Sequence, residues 1–134
     1  MIGLDTNVLV RFFMQDDQQQ ANLAKSKIDS LTVEEPGFVS IICLIELSWV
    51  LGRSYQLERQ AICLAIEALL DSREIVVDRA DSVRRALAIY RKNTADFTDC
   101  IIERTGADAG CKSTLTFDVI AARDTGMTLI EEVA

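Results

Sequence analysis

The chain has 134 residues, 49% of them hydrophobic, with 14 Lys and Arg against 21 Asp and Glu and a formal net charge of −7. These values predict a single domain over residues 1–134 and exclude a disordered chain. No apolar stretch reaches the roughly 20 residues of a membrane span, so we expect a cytoplasmic protein. The chain has no His, which excludes Ser-His-Asp and Cys-His catalysis and any His-ligated metal.

Four cysteines lie far apart in the sequence, at Cys43, Cys63, Cys100 and Cys111. No close pair of cysteines is present to begin a zinc site. The apolar neighbours of these residues favour buried, reduced thiols. We therefore expect any chemistry to use carboxylates, hydroxyls, amines or a bound cofactor.

Short apolar stretches alternate with helical patterns along the chain. Strands are predicted at residues 2–4, 38–39, 75–77, 113–117 and 128–130. Helices are predicted at residues 8–13, 17–31, 41–51, 57–70 and 81–90, around 101–102, and at 120–123. This alternation predicts a three-layer α/β/α sandwich with a short, largely parallel five-stranded sheet.

The helix predicted at residues 41–51 is apolar on nearly every side. This pattern predicts a buried helix that ends at Gly52. Glu46 is the only ionisable residue between Phe38 and Leu51. If Glu46 is buried it requires a nearby cation, because an unpaired buried carboxylate is strongly destabilising. The alternatives are an exposed Glu46 on a narrow polar stripe with Ser48, or a Glu46 that pairs with a distant Arg.

Acidic residues also follow predicted strands or precede predicted helices. Asp5 and Asp118 come directly after strands, and ligands of open α/β sheets bind beyond the carboxyl ends of the strands. The alternative for each is helix N-capping. Asp96 and Asp99 lie three residues apart before a helix. There Asp96 could form the cap and Asp99 could occupy the first turn, where the helix dipole favours negative charge.

Together these positions would place four carboxylates at one edge of a parallel sheet: Asp5, Glu46, Asp99 and Asp118. Carboxylates this close repel and raise one another's pKa, so a cation is needed among them. Oxygen ligands without His or thiolate select hard cations and leave coordination positions for water and phosphate. The sequence therefore predicts a Mg²⁺ or Mn²⁺ site.

Four segments resemble the acidic motifs of PIN domains: Leu4-Asp5-Thr6-Asn7-Val8, Leu44-Ile45-Glu46-Leu47, Ala95-Asp96-Phe97-Thr98-Asp99 and Leu115-Thr116-Phe117-Asp118. The resemblance covers the whole chain and is closest to the VapC-type toxins of bacterial and archaeal toxin–antitoxin pairs. The sequence departs from it after the third Asp, where Ile102-Glu103-Arg104 replaces the small alanines of many relatives. A further departure is Val119-Ile120 after Asp118, where some relatives place another acid.

The resemblance implies a Mg²⁺- or Mn²⁺-dependent endoribonuclease with four catalytic, metal-binding residues: Asp5, Glu46, Asp99 and Asp118. It also implies four accessory residues: Asp96, Thr6, Asn7 and Thr116. An RNA substrate, a VapB-like antitoxin and a homodimer follow from the same resemblance. If water is the nucleophile, no 2′-hydroxyl takes part and the products carry a 5′-phosphate.

The net charge of −7 opposes the binding of RNA at long range, so affinity must come from the metal and from local basic residues. The candidates are Arg53, Arg59, Arg84, Arg85, Arg91, Lys92 and Arg104. Each could equally be a solvated charge on a helix. Apolar residues at 12–14, at Trp49 and along 57–70 predict a surface shared with a second copy or with the antitoxin.

Two other function classes are compatible with the sequence. One is a catalytically silent PIN-like module that docks a basic partner peptide in an acidic groove. The other is a phosphatase that forms an aspartyl-phosphate at Asp5, although that chemistry requires an acid two positions later, where Asn7 stands. Metal-dependent cleavage of RNA separates the nuclease from both.

Overall fold

The computed structural model describes residues 1–131, so the last three residues of the predicted domain lie outside the described part. The strands are β1 (Ile2–Gly3), β2 (Gly37–Val39), β3 (Ile75–Val77), β4 (Leu115–Thr116) and β5 (Thr128–Leu129). The helices are α1 (Thr6–Met14), α2 (Gln18–Asp29), α3 (Ile41–Trp49), α4 (Arg59–Asp71), α5 (Ala80–Lys92), α6 (Phe97–Asp108) and α7 (Val119–Thr125). The predicted alternation and the α/β class are confirmed. No helix within residues 1–131 combines the length and the apolar character that a membrane crossing requires.

The five strands pair in parallel, as predicted, but in two sheets. One sheet has the order β1-β2-β3 and the other consists of β4 and β5. Ile2 pairs with Gly37, which also pairs with Ile75, and Leu115 pairs with Thr128. The pairing therefore differs from the expected continuous five-stranded sheet. Three of the strands have two residues each, and such short strands offer few main-chain groups to extend a ladder.

The chain divides into two compact units, residues 1–80 and the residues from Asp81 onward. In the first unit, α1 packs against α2 and α3, and α4 packs against β3. Leu9, Val39 and Leu44 are fully buried in its core. Gly37 is closely packed, because a Cβ there would lie 2.9 Å from Leu31 Cδ1 and 3.0 Å from a methyl group of Leu4, and these side chains would have to shift.

The second unit is built from α5, α6, α7 and the two-stranded sheet. Helix α7 packs against α6 and against both strands. Tyr90 of α5 and Phe97 of α6 meet edge to face, with ring centroids 5.6 Å apart. Val83 of α5 and Cys100 of α6 are fully buried. The buried side chains of this unit thus include an aromatic pair and small apolar groups.

Helix α3 differs from the prediction in its end and in its burial. Gly52 does not stop the helix, because the chain continues into a π-helical turn over Val50–Ser54. Gly52 is not among the residues with positive φ, so it does not provide the left-handed cap that glycine commonly gives. One side of α3 is exposed, with Ile42 at 66% and Trp49 at 45%. The prediction of a helix buried on every side was wrong.

The cysteines also depart in part from the prediction. All four are free thiols, as expected, and Cys63 and Cys100 are buried. Cys43 is half-buried and Cys111 is exposed. The expectation of burial was therefore wrong for Cys111, which follows the end of α6.

Candidate functional site

Asp5 lies where β1 ends and α1 begins. Its backbone is extended, with φ −82° and ψ 159°, and its Oδ1 accepts a hydrogen bond from Thr6 N at 2.8 Å. The alternative interpretation of Asp5 as a helix cap is therefore correct. A carboxylate offers about four lone-pair positions, so capping leaves Asp5 able to bind a ligand as well. The Asp5 side chain is exposed.

Thr6 is buried beside Asp5, with 7% of its surface exposed. Its Oγ1 has no hydrogen-bond partner among the described residues. An unsatisfied buried hydroxyl destabilises the folded state by about 1–3 kcal/mol. This orphaned oxygen is therefore a feature that a bound ligand or water would satisfy.

Glu46 lies on the exposed side of α3. The prediction of a buried Glu46 that needs a cation was wrong, and the alternative of an exposed carboxylate is correct. The proposed stripe with Ser48 was also wrong, because Ser48 is buried and donates Oγ–H to Ile45 O at 2.7 Å. Glu46 lines a cleft of about 610 Å³ together with Asp5, Thr6 and Asn7. The structure thus brings four of the predicted site residues together in the first unit.

The same cleft is lined by Arg11, Asp16 and Tyr55, which the sequence analysis did not select. Arg11 Nη1 donates to Asp16 Oδ1 at 3.0 Å and to Tyr55 Oη at 3.1 Å. Tyr55 O–H in turn donates to Asp16 Oδ2 at 2.7 Å. Hydrogen bonding to Asp16 raises the pKa of Tyr55, and hydrogen bonding to Tyr55 lowers the pKa of Asp16. The Arg11 guanidinium, which donates to both Asp16 and Tyr55, therefore lies in the wall of the acidic cleft.

In the second unit, two predicted carboxylates cap helices. Asp96 begins α6 and accepts from Asp99 N at 2.8 Å, and Asp118 begins α7 and accepts from Ala121 N at 3.0 Å. Thr116 Oγ1 accepts the N–H of Asp118 at 3.0 Å, which fixes the turn that carries this carboxylate. The capping alternatives are correct for both residues.

Asp99 shows the electrostatic effect of this arrangement. Burial raises the pKa of Asp99 to about 6, with further contributions from the charge of Asp96, from its hydrogen bond and from the charge of Asp118. The charges of Asp96 and Asp118 are therefore close enough to Asp99 to disfavour its ionised form. The structure thus brings Asp96, Asp99 and Asp118 together within the second unit.

Asp124 holds the segment that leads into α6. Its Oδ2 accepts from Thr94 N at 2.9 Å, from Thr94 Oγ1 at 2.7 Å and from Ala95 N at 3.1 Å. Arg123 Nε lies 2.7 Å from Asp124 Oδ1. The hydrogen bond from Arg123, followed by those from Thr94, holds the pKa of Asp124 well below its usual range. This residue was not predicted from the sequence, because Thr94 and Ala95, which it connects to α7, lie about 30 residues away.

The donor set can be compared with the needs of a divalent cation. Within residues 1–131, no three His, Cys, Asp or Glu side chains are placed to hold a metal ion together. Mg²⁺ commonly binds through one or two carboxylates and completes its coordination with waters and substrate phosphates. Asp5 and Glu46 provide carboxylate oxygens along one cleft, which Thr6 also lines. These residues fit Mg²⁺ or Mn²⁺ in donor chemistry.

Comparison with known proteins yields one family and one curated relative. The family model described as the PIN domain matches residues 2–127, a range that includes every predicted site residue from Asp5 to Asp118. A protein named VapC ribonuclease from Aquifex aeolicus (strain VF5) is 26% identical over 114 residues, which cover 85% of this chain and 84% of that protein. The match over nearly the whole chain confirms the resemblance found in the four acidic motifs. This chain therefore belongs to the PIN domain family.

Proposed function

We propose that this protein is a Mg²⁺- or Mn²⁺-dependent endoribonuclease and the toxin of a toxin–antitoxin pair. Membership of the PIN domain family and the similarity to a VapC ribonuclease support this proposal. The observation that carries it is the cleft that Asp5, Thr6 and Glu46 line together, beside a buried Thr6 hydroxyl without a partner among the described residues.

In this proposal, Asp5 and Glu46 would hold the cation, with Thr6 and Asn7 as neighbouring oxygen donors. When bound, a divalent cation stabilises charge on phosphate oxygens and lowers the pKa of a water nucleophile. The charge of both carboxylates also keeps the cleft from binding anions until a cation neutralises it. Asp5 is held in place for this role by its bond to Thr6 N.

Asp99 and Asp118 serve the same reaction in this proposal, with Asp96 as an accessory carboxylate. The raised pKa of Asp99 reflects burial and the repulsion among the three side chains. A cation at this cluster would relieve that repulsion and favour the ionised form. Thr116 has an accessory role because its Oγ1 positions the main chain of Asp118.

We also propose that the protein forms a homodimer and binds a VapB-like antitoxin. Large apolar side chains are exposed in the first unit at Leu23, Ile42, Trp49 and Leu64. Others are exposed in the second unit at Ile102, Leu115, Phe117, Val119 and Ile120. Exposed apolar groups of this size favour protein contacts. An antitoxin Arg or Lys could neutralise the carboxylates in place of the metal, so that binding and inhibition would be one event.

The test is cleavage of structured cellular RNA by the purified chain. We expect cleavage with Mg²⁺ or Mn²⁺, loss of cleavage in EDTA, and products with a 5′-phosphate. Asp5→Asn and Asp118→Asn should each lower the rate by at least about 100-fold, because each removes a charged group needed in the transition state. Asp29→Asn is the matched control, since Asp29 lies on the exposed side of α2 in an ion pair with Lys25.

Three kinds of outcome would contradict the proposal. Cleavage that continues in EDTA, or that leaves a 2′,3′-cyclic phosphate, would exclude hydrolysis by a metal-activated water. A folded wild-type protein that cleaves no RNA with either metal would favour the silent binding module. Hydrolysis of a phosphomonoester instead of RNA would favour the phosphatase.

A further inference from the structure

Arg11 is fixed by three side chains in the wall of the acidic cleft. Its Nη1 donates to Asp16 and Tyr55, as described above, and its Nε donates to Gln20 Oε1 at 2.8 Å. The bond from Tyr55 to Asp16 closes a ring of hydrogen bonds around the guanidinium. The partners come from the segment after α1, from α2 and from the residue after the π-helical turn. The position of the guanidinium is therefore set before any ligand binds.

These bonds leave donors of Arg11 unused. A guanidinium has five N–H groups, and two of them are on Nη2. Nη2 makes no hydrogen bond to any residue in the described range 1–131. The Arg11 side chain remains 31% exposed and lines the cleft. A pair of N–H groups is thus available to an acceptor that enters the cleft.

The charges that line the cleft give the unused N–H groups of Arg11 a possible ligand to attract. Its lining, which lies wholly within residues 1–80, contains three carboxylates and one cation, Arg11. A polyanion that approaches Asp5 and Glu46 is repelled by their charge. Arg11 is the lining group that can attract a phosphate, and a planar guanidinium matches phosphate oxygens better than an ammonium group does.

We propose that Arg11 binds a backbone phosphate of the RNA substrate through Nη2, and that Asp16 and Tyr55 are positioning residues for this contact. The inference rests on the proposed ribonuclease function and identifies how the same cleft takes its substrate. Fixing the guanidinium in advance reduces the entropy that is lost when the phosphate binds. Arg11 was absent from the basic residues that the sequence suggested as RNA contacts.

The test measures the kinetics of cleavage of the structured RNA used above, with Mg²⁺, over a range of salt concentrations. Arg11→Gln should raise KM about tenfold with a much smaller change in kcat, since it removes a charge-assisted contact to the substrate. The slope of log(kcat/KM) against log[salt] should become shallower by about 0.7, the value for one phosphate contact on a single strand. Lys25→Gln is the control, because it removes the same charge from the exposed side of α2.

Two further variants separate charge from geometry. Arg11→Lys keeps the charge but loses the planar fork, so its salt slope should stay near that of the wild type while KM rises. Tyr55→Phe removes only the hydroxyl that links Arg11 to Asp16, and it should raise KM about threefold without changing the salt slope. A purely structural role would lower the melting temperature of these variants and leave KM unchanged.

The outcomes distinguish this inference from the proposed function. If the wild type cleaves RNA and Arg11→Gln matches Lys25→Gln in KM and in salt slope, the role of Arg11 is wrong and the nuclease proposal stands. Equal salt slopes for Arg11→Lys and Arg11→Gln would also overturn the phosphate contact. If the wild type does not cleave RNA, the nuclease proposal itself fails.

Discussion

The two units of this chain arrange their acidic residues in different ways. In the first unit, Asp5 and Glu46 share a cleft with Arg11, a cation that hydrogen bonds hold in place. In the second unit, Asp99 lies near two further carboxylates at the beginnings of α6 and α7, and its pKa is raised to about 6 by burial and by these neighbours. The first set shares its cleft with a cation that pairs with Asp16, whereas in the second set Asp99 is repelled by its acidic neighbours.

This difference shows that position on a helix does not alone determine the charge state of a carboxylate. Asp99 lies in the first turn of α6, where the helix dipole favours negative charge by typically 0.3–1 kcal/mol. Its pKa is nevertheless raised, because burial and the charges of Asp96 and Asp118 act in the opposite direction. Local neighbours therefore outweigh the dipole at this position.

The largest expected effect concerns Asp124, which holds the segment that leads to the carboxylates of the second unit, Asp96, Asp99 and Asp118. Asp124→Ala removes the carboxylate that accepts from the main-chain N–H groups of Thr94 and Ala95. We expect the melting temperature to fall by about 5 °C and RNA cleavage to decrease, because the segment before Asp96 loses its anchor. Thermal unfolding followed by circular dichroism measures the first effect, with Asp29→Ala as the control.

The pH dependence of this contribution has a definite sign. The pKa of Asp124 is lowered in the folded state, so its stabilisation is present above about pH 4 and is lost as the pH falls further. The difference in melting temperature between wild type and Asp124→Ala should therefore shrink in acid. A variant as stable as the wild type at neutral pH would show that Asp124 does not anchor this segment.

Much of the local structure could be predicted from the sequence. Asp and Thr residues next to short apolar stretches predicted turns that begin helices, and the structure confirms caps at Asp5, Asp96 and Asp118. These interactions join neighbours in the sequence, so local chemistry is sufficient to find them. The alternation of strands and helices was predictable for the same reason, whereas the division into two sheets was not, because it depends on which strands meet.

Features that depend on distant residues could not be predicted in this way. Arg11 and Tyr55 lie 44 positions apart, and only the fold brings them together. The exposure of Glu46 could not be predicted, because its neighbours on the same side of α3, Ile42 and Trp49, are apolar yet exposed. Hydrophobic patterning assigns such residues to the core, and an exposed apolar face contradicts that assumption.

A smaller effect tests the repulsion within the second set. Asp99→Asn should raise the melting temperature of the metal-free protein by about 3 °C at pH 7.5, because it removes a charge that the folded state disfavours. The raised pKa of Asp99 means that the ionised form destabilises the fold as the pH rises from about 4 to about 6. The advantage of the variant in melting temperature should therefore shrink as the pH falls below about 6 and disappear below about 4. Melting curves in EDTA measure both effects.

The control for this prediction is Asp81→Asn. Asp81 also lies in the first turn of a helix of the second unit, α5. Removing its charge should slightly lower the melting temperature, because the favourable interaction with the helix dipole is lost. A fall in melting temperature for Asp99→Asn at pH 7.5 would mean that the dipole, and not the neighbouring carboxylates, dominates at Asp99.

We expect the smallest effect on the melting temperature at the other end of α6, where the pKa of Asp108 is shifted in the direction opposite to that of Asp99. Asp108 is the last residue of the helix, a position where the dipole disfavours a carboxylate. It accepts a hydrogen bond from Ser82 Oγ, and Arg85 Nη2 lies 3.1 Å from both of its carboxylate oxygens. These bonds, that of Ser82 first, lower the pKa of Asp108. Specific partners again outweigh the dipole, but here they favour the charge.

Asp108→Asn should therefore lower the melting temperature at pH 7.5 by about 1–2 °C, a small change because ion pairs near the surface contribute little. The lowered pKa means that this contribution is present above about pH 4 and is lost as the pH falls below it. Asp99→Asn and Asp108→Asn, two identical substitutions in one helix, should thus shift stability in opposite directions at neutral pH. An increase in melting temperature for Asp108→Asn would show that the helix dipole outweighs Ser82 and Arg85 at this end of α6.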